Sequence, residues 1–337
     1  VKLALFWTLL RNGRMQGIRE VGALSLPFQR LCFLAAAESA GVLRALAAGP
    51  APAARLAAEL GIAPAAGEFA AWLEVGARLG ALRRVGEGFA LRSRLARRLA
   101  RPEHDALAAH LTEIASLHHA LLTETPERLR AGRRFQLGDQ DGVVIARASR
   151  LLEDVVHEAI DSVVPRRGAL RLLEIGCGSG THVRRAAERN PELTALALEL
   201  QPEVAAEARR NLAAWGLAGR IEVEPGDVRA RAPEPAFDLA TLHQNIYYFP
   251  VEERAGVLSH VRGFLRPGGR LLVTTGCRSR TPAMSLLDLW GALTEGCGRL
   301  PEPEELVAQL RQAGFQAVRA RNLLAPCERF YAFVATA

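Results

Sequence analysis

The 337-residue chain is short of several features, and each shortage closes off a function class. Lys2 is its only lysine, so the positive charge is carried almost entirely by arginine. The five cysteines (Cys32, Cys177, Cys277, Cys297 and Cys327) are scattered, odd in number and without a CxxC pair. That pattern offers neither a disulfide framework nor a zinc site, and it suits a reducing cytoplasm. No internal repeat is visible. The opening VKLALFWTLL is apolar but shorter than a membrane span, and Arg11 and Arg14 keep the apolar run from continuing. With no small-residue cleavage site after it, neither a secretory signal nor a membrane partner is expected. An amphipathic helix packing on a partner subunit or on a second domain is the expected use. Blocks of like charge are missing as well. The formal charge is +7, yet the arginines alternate with Glu and Asp, so the excess reads as solvated surface and no nucleic-acid partner is expected.

What is present divides the chain into parts. Hydrophobic content of 49% with 23% charged residues is ordinary for a globular protein, and the length allows two domains. Residues 27–99 read as helices followed by a hairpin. FQRLCFLAAAESAGVLRALAAG has apolar residues at helical spacing, PAARLAAELGI is a short helix closed by Gly61, and Pro64 opens a third helix that stops at Gly80. ALRRV and FALR then flank a Gly-rich turn as two short strands. Three helices and a two-stranded wing is the winged-helix order. The third helix sets Glu68 and Glu74 against Arg78 alone, which repels phosphate as much as it attracts it. Packing or dimerisation is therefore the expected role of this first domain, taken as 1–101. Residues 102–165 read as a helical connector, with a loop over 127–142.

From Leu170 onward strands and helices alternate, as in a parallel sheet with helices on both faces. The strands read LRLLEI, LTALALE, RIEVEP, FDLATLH and RLLVTTG. Two closing strands, QAVRAR and RFYAFVA, are too close together for a parallel crossover and should pair antiparallel at one edge.

Three markers carry chemistry. EIGCGSG follows the first strand, where Gly176, Gly178 and Gly180 let the backbone turn sharply and approach a ligand. A dinucleotide site would use GxGxxG here; this loop is GxGxG, with Thr181 at the third position of that pattern. Glu199 ends the second strand, where a carboxylate can accept both hydroxyls of a ribose, and Leu200 beside it can cover an adenine. Gly226-Asp227 follows the third strand, where the carboxylate can accept an adenine amino group.

In this order and on these strands, the markers resemble the class I S-adenosylmethionine-dependent methyltransferases. FLRPGGRLLVTT over 264–275 is similar to that family's approach to its fifth strand. The resemblance implies a Rossmann-like, seven-stranded sheet, parallel with an antiparallel edge strand, over 166–337. It also implies S-adenosyl-L-methionine as cofactor, with Glu174 helping to hold the methionine amino group through the loop. As a whole the chain resembles small-molecule O-methyltransferases that carry an amino-terminal, mostly helical winged-helix domain, which implies a homodimer and a small-molecule substrate.

The family's His-Asp-Trp triplet is replaced here by Tyr247, Tyr248 and Phe249 ahead of Pro250. An unperturbed tyrosine is a poor base at neutral pH. Two readings stay open: His243, His118 or His119 takes the proton, or the acceptor arrives already deprotonated. The same fold could also methylate carbon or nitrogen, or carry non-methylating chemistry, and a winged-helix regulator that senses the cofactor is the rival outside enzymes. Tyr247, Tyr248 and Phe249, together with Met284 and Trp290, would suit a substrate with an aromatic or otherwise apolar body. No metal is expected, because Asp238 lies too early and Asn245 lacks a carboxylate neighbour.

Overall fold

The structure, a computed structural model, describes residues 14–62 and 65–337. The expected opening helix over 1–10 and the helix start at Pro64 lie outside the described residues. The chain divides into two compact units, the first ending at Ser116 and the second beginning at Leu117.

The first unit contains helices α1 (Arg14–Ser39), α2 (Val42–Ala47), α3 (Ala53–Glu59), α4 (Ala66–Arg78), α5 (Arg94–Leu99) and α6 (Asp105–Glu113). Its strands β1 (Ala51–Pro52), β2 (Leu82–Val85) and β3 (Gly88–Leu91) form a small antiparallel sheet in the order β1-β3-β2. The hairpin of the sequence is there, and the two-residue β1 is too short to leave a pattern. The run that reads as one helix from 28 to 49 is broken at Gly41, whose φ of 79° ends the α-helical path between α1 and α2. Pro27 lies inside α1 instead of opening the region. The helix upstream of Pro27 is hard to read because α1 buries only Phe33, Leu34, Ala35 and Ala37, all near its end. Phe33, Leu34 and Ala37 join Leu43, Leu56, Leu73 and Phe89 in one apolar core.

The second unit opens with α7 (His119–Arg130), α8 (Gly142–Ala148) and α9 (Glu153–Val163). Helix α7 runs into the stretch expected as loop. Arg128 supports that extension by pairing with Glu124 and with Asp139, while its guanidinium lies over the Phe135 ring. Strands β4 (Leu170–Ile175), β5 (Leu193–Glu199), β6 (Ile221–Pro225), β7 (Phe237–His243), β8 (Leu265–Gly276), β9 (Gln316–Asn322) and β10 (Phe330–Thr336) come next. Between them lie α10 (Thr181–Arg189), α11 (Pro202–Ala214), α12 (Arg254–Arg262), α13 (Pro282–Leu293) and α14 (Pro303–Gln312).

These strands form one seven-stranded sheet in the order β6-β5-β4-β7-β8-β10-β9, so the expected sheet is the observed one. The pair β9–β10 takes one edge, and β10, antiparallel to both neighbours, sits one place in from the outside. Strand β4 lies between β5 and β7, and the chain crosses from one side of it to the other after β6. Ligands bind at such a switch point, beyond the carboxyl ends of the strands.

Both faces of the sheet are buried. Leu173, Ile175, Leu198, Leu242 and Val273 join one core with α12 and α14 residues. Leu172, Ala197, Leu239 and Leu272 join the other, with Val156, Val183 and Ala208 from α9, α10 and α11. At the carboxyl ends of the strands, the alternation that makes the second face apolar brings Glu174, Thr241, His243 and Thr274 onto it. No helix among the described residues is long and apolar enough to cross a membrane.

Candidate active site

The loop after β4 is held mainly by backbone. Gly176 and Cys177 donate their amides to the Leu198 carbonyl at 2.8 and 3.0 Å, which pins the turn to β5. Gly176 has φ 70°, and a Cβ placed there would lie 2.5 Å from Asn245 Nδ2, so a side chain is excluded on both counts. Asn245 Nδ2 in turn donates to the Ile175 carbonyl. Gly180 begins α10 and packs against Leu212 and Ala208 of α11.

Glu199, at the end of β5, reaches back over this loop. Its Oε2 accepts the Gly178 amide at 2.9 Å and its Oε1 the Gln201 amide at 3.1 Å. Each oxygen keeps a lone pair for a ligand. Burial raises the Glu199 carboxyl above its ordinary range, with the backbone amides opposing. The Glu199 carbonyl also accepts the Gly226 amide at 2.8 Å, which brings the turn after β6 alongside. There Asp227 accepts the Arg229 amide at 2.9 Å and the Arg229 guanidinium at 2.7 Å. Burial would raise the Asp227 carboxyl, but the Arg229 hydrogen bonds and charge outweigh it and leave it below the usual range.

These parts border a cavity of about 240 Å³. Gly176, Gly178, Glu199, Leu200, Gly226 and Asp227 line it. Leu200 is 45% exposed and stands at the rim. Glu174 lies below the loop, 1% exposed. Burial raises its carboxyl to about 8, the Thr241 hydroxyl donates to Oε2 at 3.5 Å, and Oε1 has no partner among the described residues.

The rest of the lining is different in kind. Tyr247 and Tyr248 sit on a 3-10 turn after β7, with ring centroids 5.4 Å apart. Trp290, from α13, lies behind both, at 5.9 Å from Tyr247 and 5.0 Å from Tyr248. The turn is fastened from outside: Gly298 donates its amide to the Tyr247 carbonyl at 2.9 Å, and buried Arg254 donates from Nε to the Phe249 carbonyl at 3.1 Å. Gln140 lies 3.5 Å from the Tyr248 hydroxyl. Met284 packs at Gly276, where an added Cβ would meet its sulfur, and is not among the lining residues. His118 is half-buried at the end of the segment Ile114–His118, also off the lining.

His243 does line the cavity, at 6% exposure. Its Nδ1 is 2.8 Å from Thr274 Oγ1, and Nε2 has no partner among the described residues. The structure adds residues to which sequence reasoning assigned no role. His182, from the first turn of α10, lines the cavity with its ring 4.9 Å from that of His243, and His157 of α9 lies 5.8 Å beyond. Burial drives the His182 ring down to about 3 and His243 well below its ordinary value. Gln244, with φ 54°, is a non-glycine residue in the left-handed region, also on the lining. Its only sequence signal was its place directly after a strand.

The chain matches the methyltransferase-domain family over residues 173–271. It is 32% identical over 177 residues to a ubiquinone biosynthesis O-methyltransferase of Xylella fastidiosa, covering 48% of this chain and 67% of that protein. It is 28% identical over 196 residues to the demethylspheroidene O-methyltransferase of Rhodobacter capsulatus, covering 56% of this chain and 48% of that protein. The chain thus matches about half the length of this second relative. Among solved structures it resembles a mitomycin 7-O-methyltransferase, with a TM-score of 0.74 at 22% identity over 97% of this chain and all (100%) of that one. It also resembles the human N-acetylserotonin methyltransferase in complex with S-adenosylmethionine, with a TM-score of 0.72 at 20% identity, over 95% of this chain and 97% of that one.

Proposed function

The chain belongs to the methyltransferase family, and from that premise we propose that it methylates a small, largely apolar organic molecule at an oxygen, using S-adenosylmethionine. The observation that carries this reading is one cavity with two unlike walls: Glu199 tied to the Gly178 amide on one side, and the rings of Tyr247 and Tyr248 on the other. The O-methyltransferases among the relatives support oxygen as the acceptor atom.

The residues present fit the cofactor. Glu199 has two oxygens, each steadied by one backbone amide and each with a lone pair left, which suits two neighbouring ribose hydroxyls. The loop at Gly176 and Gly178 lets a ligand approach the backbone where a side chain would clash. Asp227, steadied by Arg229, and Leu200 at the rim border the place for an adenine. Glu174, buried with one oxygen unpartnered, is the acid beneath the amino-acid end. When bound, the cofactor supplies an electrophilic methyl group on a sulfonium. The protein's part is positioning. Tyr247 and Tyr248, backed by Trp290, hold the acceptor's apolar body, and burial strengthens the attraction between cation and electron-rich acceptor.

The first unit takes the winged-helix dimerisation role in this reading. Ile18, Val21, Leu24 and Phe28 leave apolar surface exposed along α1, which supports pairing of two copies. All five cysteines are free thiols, which supports a cytoplasmic setting. Mass spectrometry of candidate phenols and quinols incubated with enzyme and S-adenosylmethionine tests the activity. A product heavier by one CH2 supports it; S-adenosylmethionine that binds without any such product overturns it.

A further inference from the structure

One enclosed neighbour decides where the proton of His243 sits. The ring is 6% exposed, Thr274 is fully buried, and Nδ1 and Thr274 Oγ1 are 2.8 Å apart. Either atom can be the donor. If the ring donates from Nδ1, the Thr274 hydroxyl hydrogen is left without an acceptor, since His243 Nδ1 is its one hydrogen-bond partner among the described residues. The Nε2 lone pair is then bare as well. If Thr274 donates, its hydroxyl is satisfied, Nδ1 is satisfied, and the ring hydrogen on Nε2 is the only unused group. A buried hydroxyl with no acceptor bears the whole cost of its desolvation, so the second arrangement is favoured.

We infer that His243 works as a neutral hydrogen-bond donor: Thr274 is a positioning residue that holds it in the Nε2–H tautomer, offered to an oxygen lone pair of a molecule in the cavity. That oxygen belongs either to the amino-acid carboxylate of the cofactor or to the acceptor. The class of ligand rests on the methyl-transfer reading; the tautomer does not. The surroundings agree with a ring that stays neutral. The His182 ring of α10 lies against it, and His157 of α9 lies against His182 in turn, with Glu153 on that same helix 3.6 Å from His157. On the sheet, Glu174 of β4 is the nearby acid, hydrogen-bonded by Thr241. Burial, then His182 and His157, lower the His243 pKa well below its usual value. A general base must accept a proton and carry the charge, which this enclosure opposes.

The direct test is 15N NMR of the histidine rings in the full chain, with His243 assigned by difference from His243→Gln. Protonated Nε2 and bare Nδ1, unchanged between about pH 5.5 and 8, is expected. A protonated Nδ1, or an imidazolium forming in that range, overturns the inference. Thr274→Val should release the ring into a tautomer mixture, and Thr274→Ser should restore the wild-type signal. Calorimetry separates the two sources of oxygen. If the cofactor carboxylate is the partner, His243→Leu binds S-adenosylhomocysteine about tenfold more weakly, while 5′-methylthioadenosine, which lacks that carboxylate, is unaffected. If the acceptor is the partner, hydroquinone binding weakens instead. His243→Gln keeps an amide donor and should stay near wild type in either case; a loss equal to that of His243→Leu overturns the donor role. A wild-type chain that fails to bind S-adenosylhomocysteine sinks the methyl-transfer reading and leaves the tautomer result standing.

Discussion

At one end of the cavity the work is done by backbone and carboxylates; at the other it is done by rings brought together from distant parts of the chain. In the proposed reading, the cofactor end comprises a glycine loop, the Glu199 carboxylate on the Gly178 and Gln201 amides, and the turn carrying Asp227. Each of these comes directly at a strand end. The proposed acceptor end comprises Tyr247 and Tyr248 from the turn after β7 and Gln140 from the loop before α8, with Trp290 of α13 behind the tyrosines. In that reading the first design holds the cofactor through backbone amides and carboxylates. The second can be altered one side chain at a time without disturbing the first, which is how a fold keeps its cofactor and changes its substrate.

If the two ends are separable, mutations should act on one and spare the other. The largest effect is expected from Trp290→Ala. Trp290 is buried against both tyrosines, so the cavity left behind should lower stability by about 3–5 kcal/mol in urea unfolding. At temperatures where the variant stays folded, affinity for S-adenosylhomocysteine should be kept; parallel loss of that affinity would join the two ends into one unit. Next comes Glu199→Ala, which removes the charged acceptor and also leaves the Gly178 amide unpaired. Calorimetry should show cofactor binding weaker by about 1.5–3 kcal/mol, roughly 10- to 150-fold. Unchanged affinity would mean that Glu199 does not hold the ribose.

The cofactor end should also respond to pH. Burial raises the Glu174 carboxyl from 4.5 to about 8, so the folded chain keeps a proton that the unfolded chain gives up across that window. The native state then binds more protons, and the stability of the ligand-free protein should fall as pH rises from about 4.5 to 8. Glu174→Gln should flatten this slope in thermal melts; an identical slope would assign it to other groups. The smallest effect belongs to Tyr248→Phe. Removing its hydroxyl loses the long 3.5 Å contact with Gln140, which by itself is worth about 0.5 kcal/mol or less in stability, and the larger change is expected in acceptor binding.

The same contrast separates what is legible in the chain from what is not. The seven-stranded sheet was legible because most of its inner strands are nearly continuous apolar runs, which two buried faces require. The loop at Gly176 was legible because a left-handed turn between strand and helix needs glycine. His182 was not, since a histidine on a helix carries no mark of what it faces; only packing of α10 on the sheet sets it beside His243. Asp227 could be found but its partner could not, because Arg229 beside it reads equally well as a surface charge. In the first unit, the break at Gly41 and the reach of α1 beyond Pro27 were missed, since so little of that helix is buried.

What the amino-acid order determined by itself was therefore local: strand and helix periods, the glycine turn, and the acids that end β5 and come after β6. Those arise from backbone sterics and from alternation, which act over a few residues. Tertiary structure alone decided which side chains meet at the cavity floor and which stand behind them. His243 and His182 line the cavity from a strand and the helix over it, Thr274 backs His243 from the neighbouring strand, and the hydrogen bond between His243 and Thr274 depends on a distance that no spacing along the chain encodes.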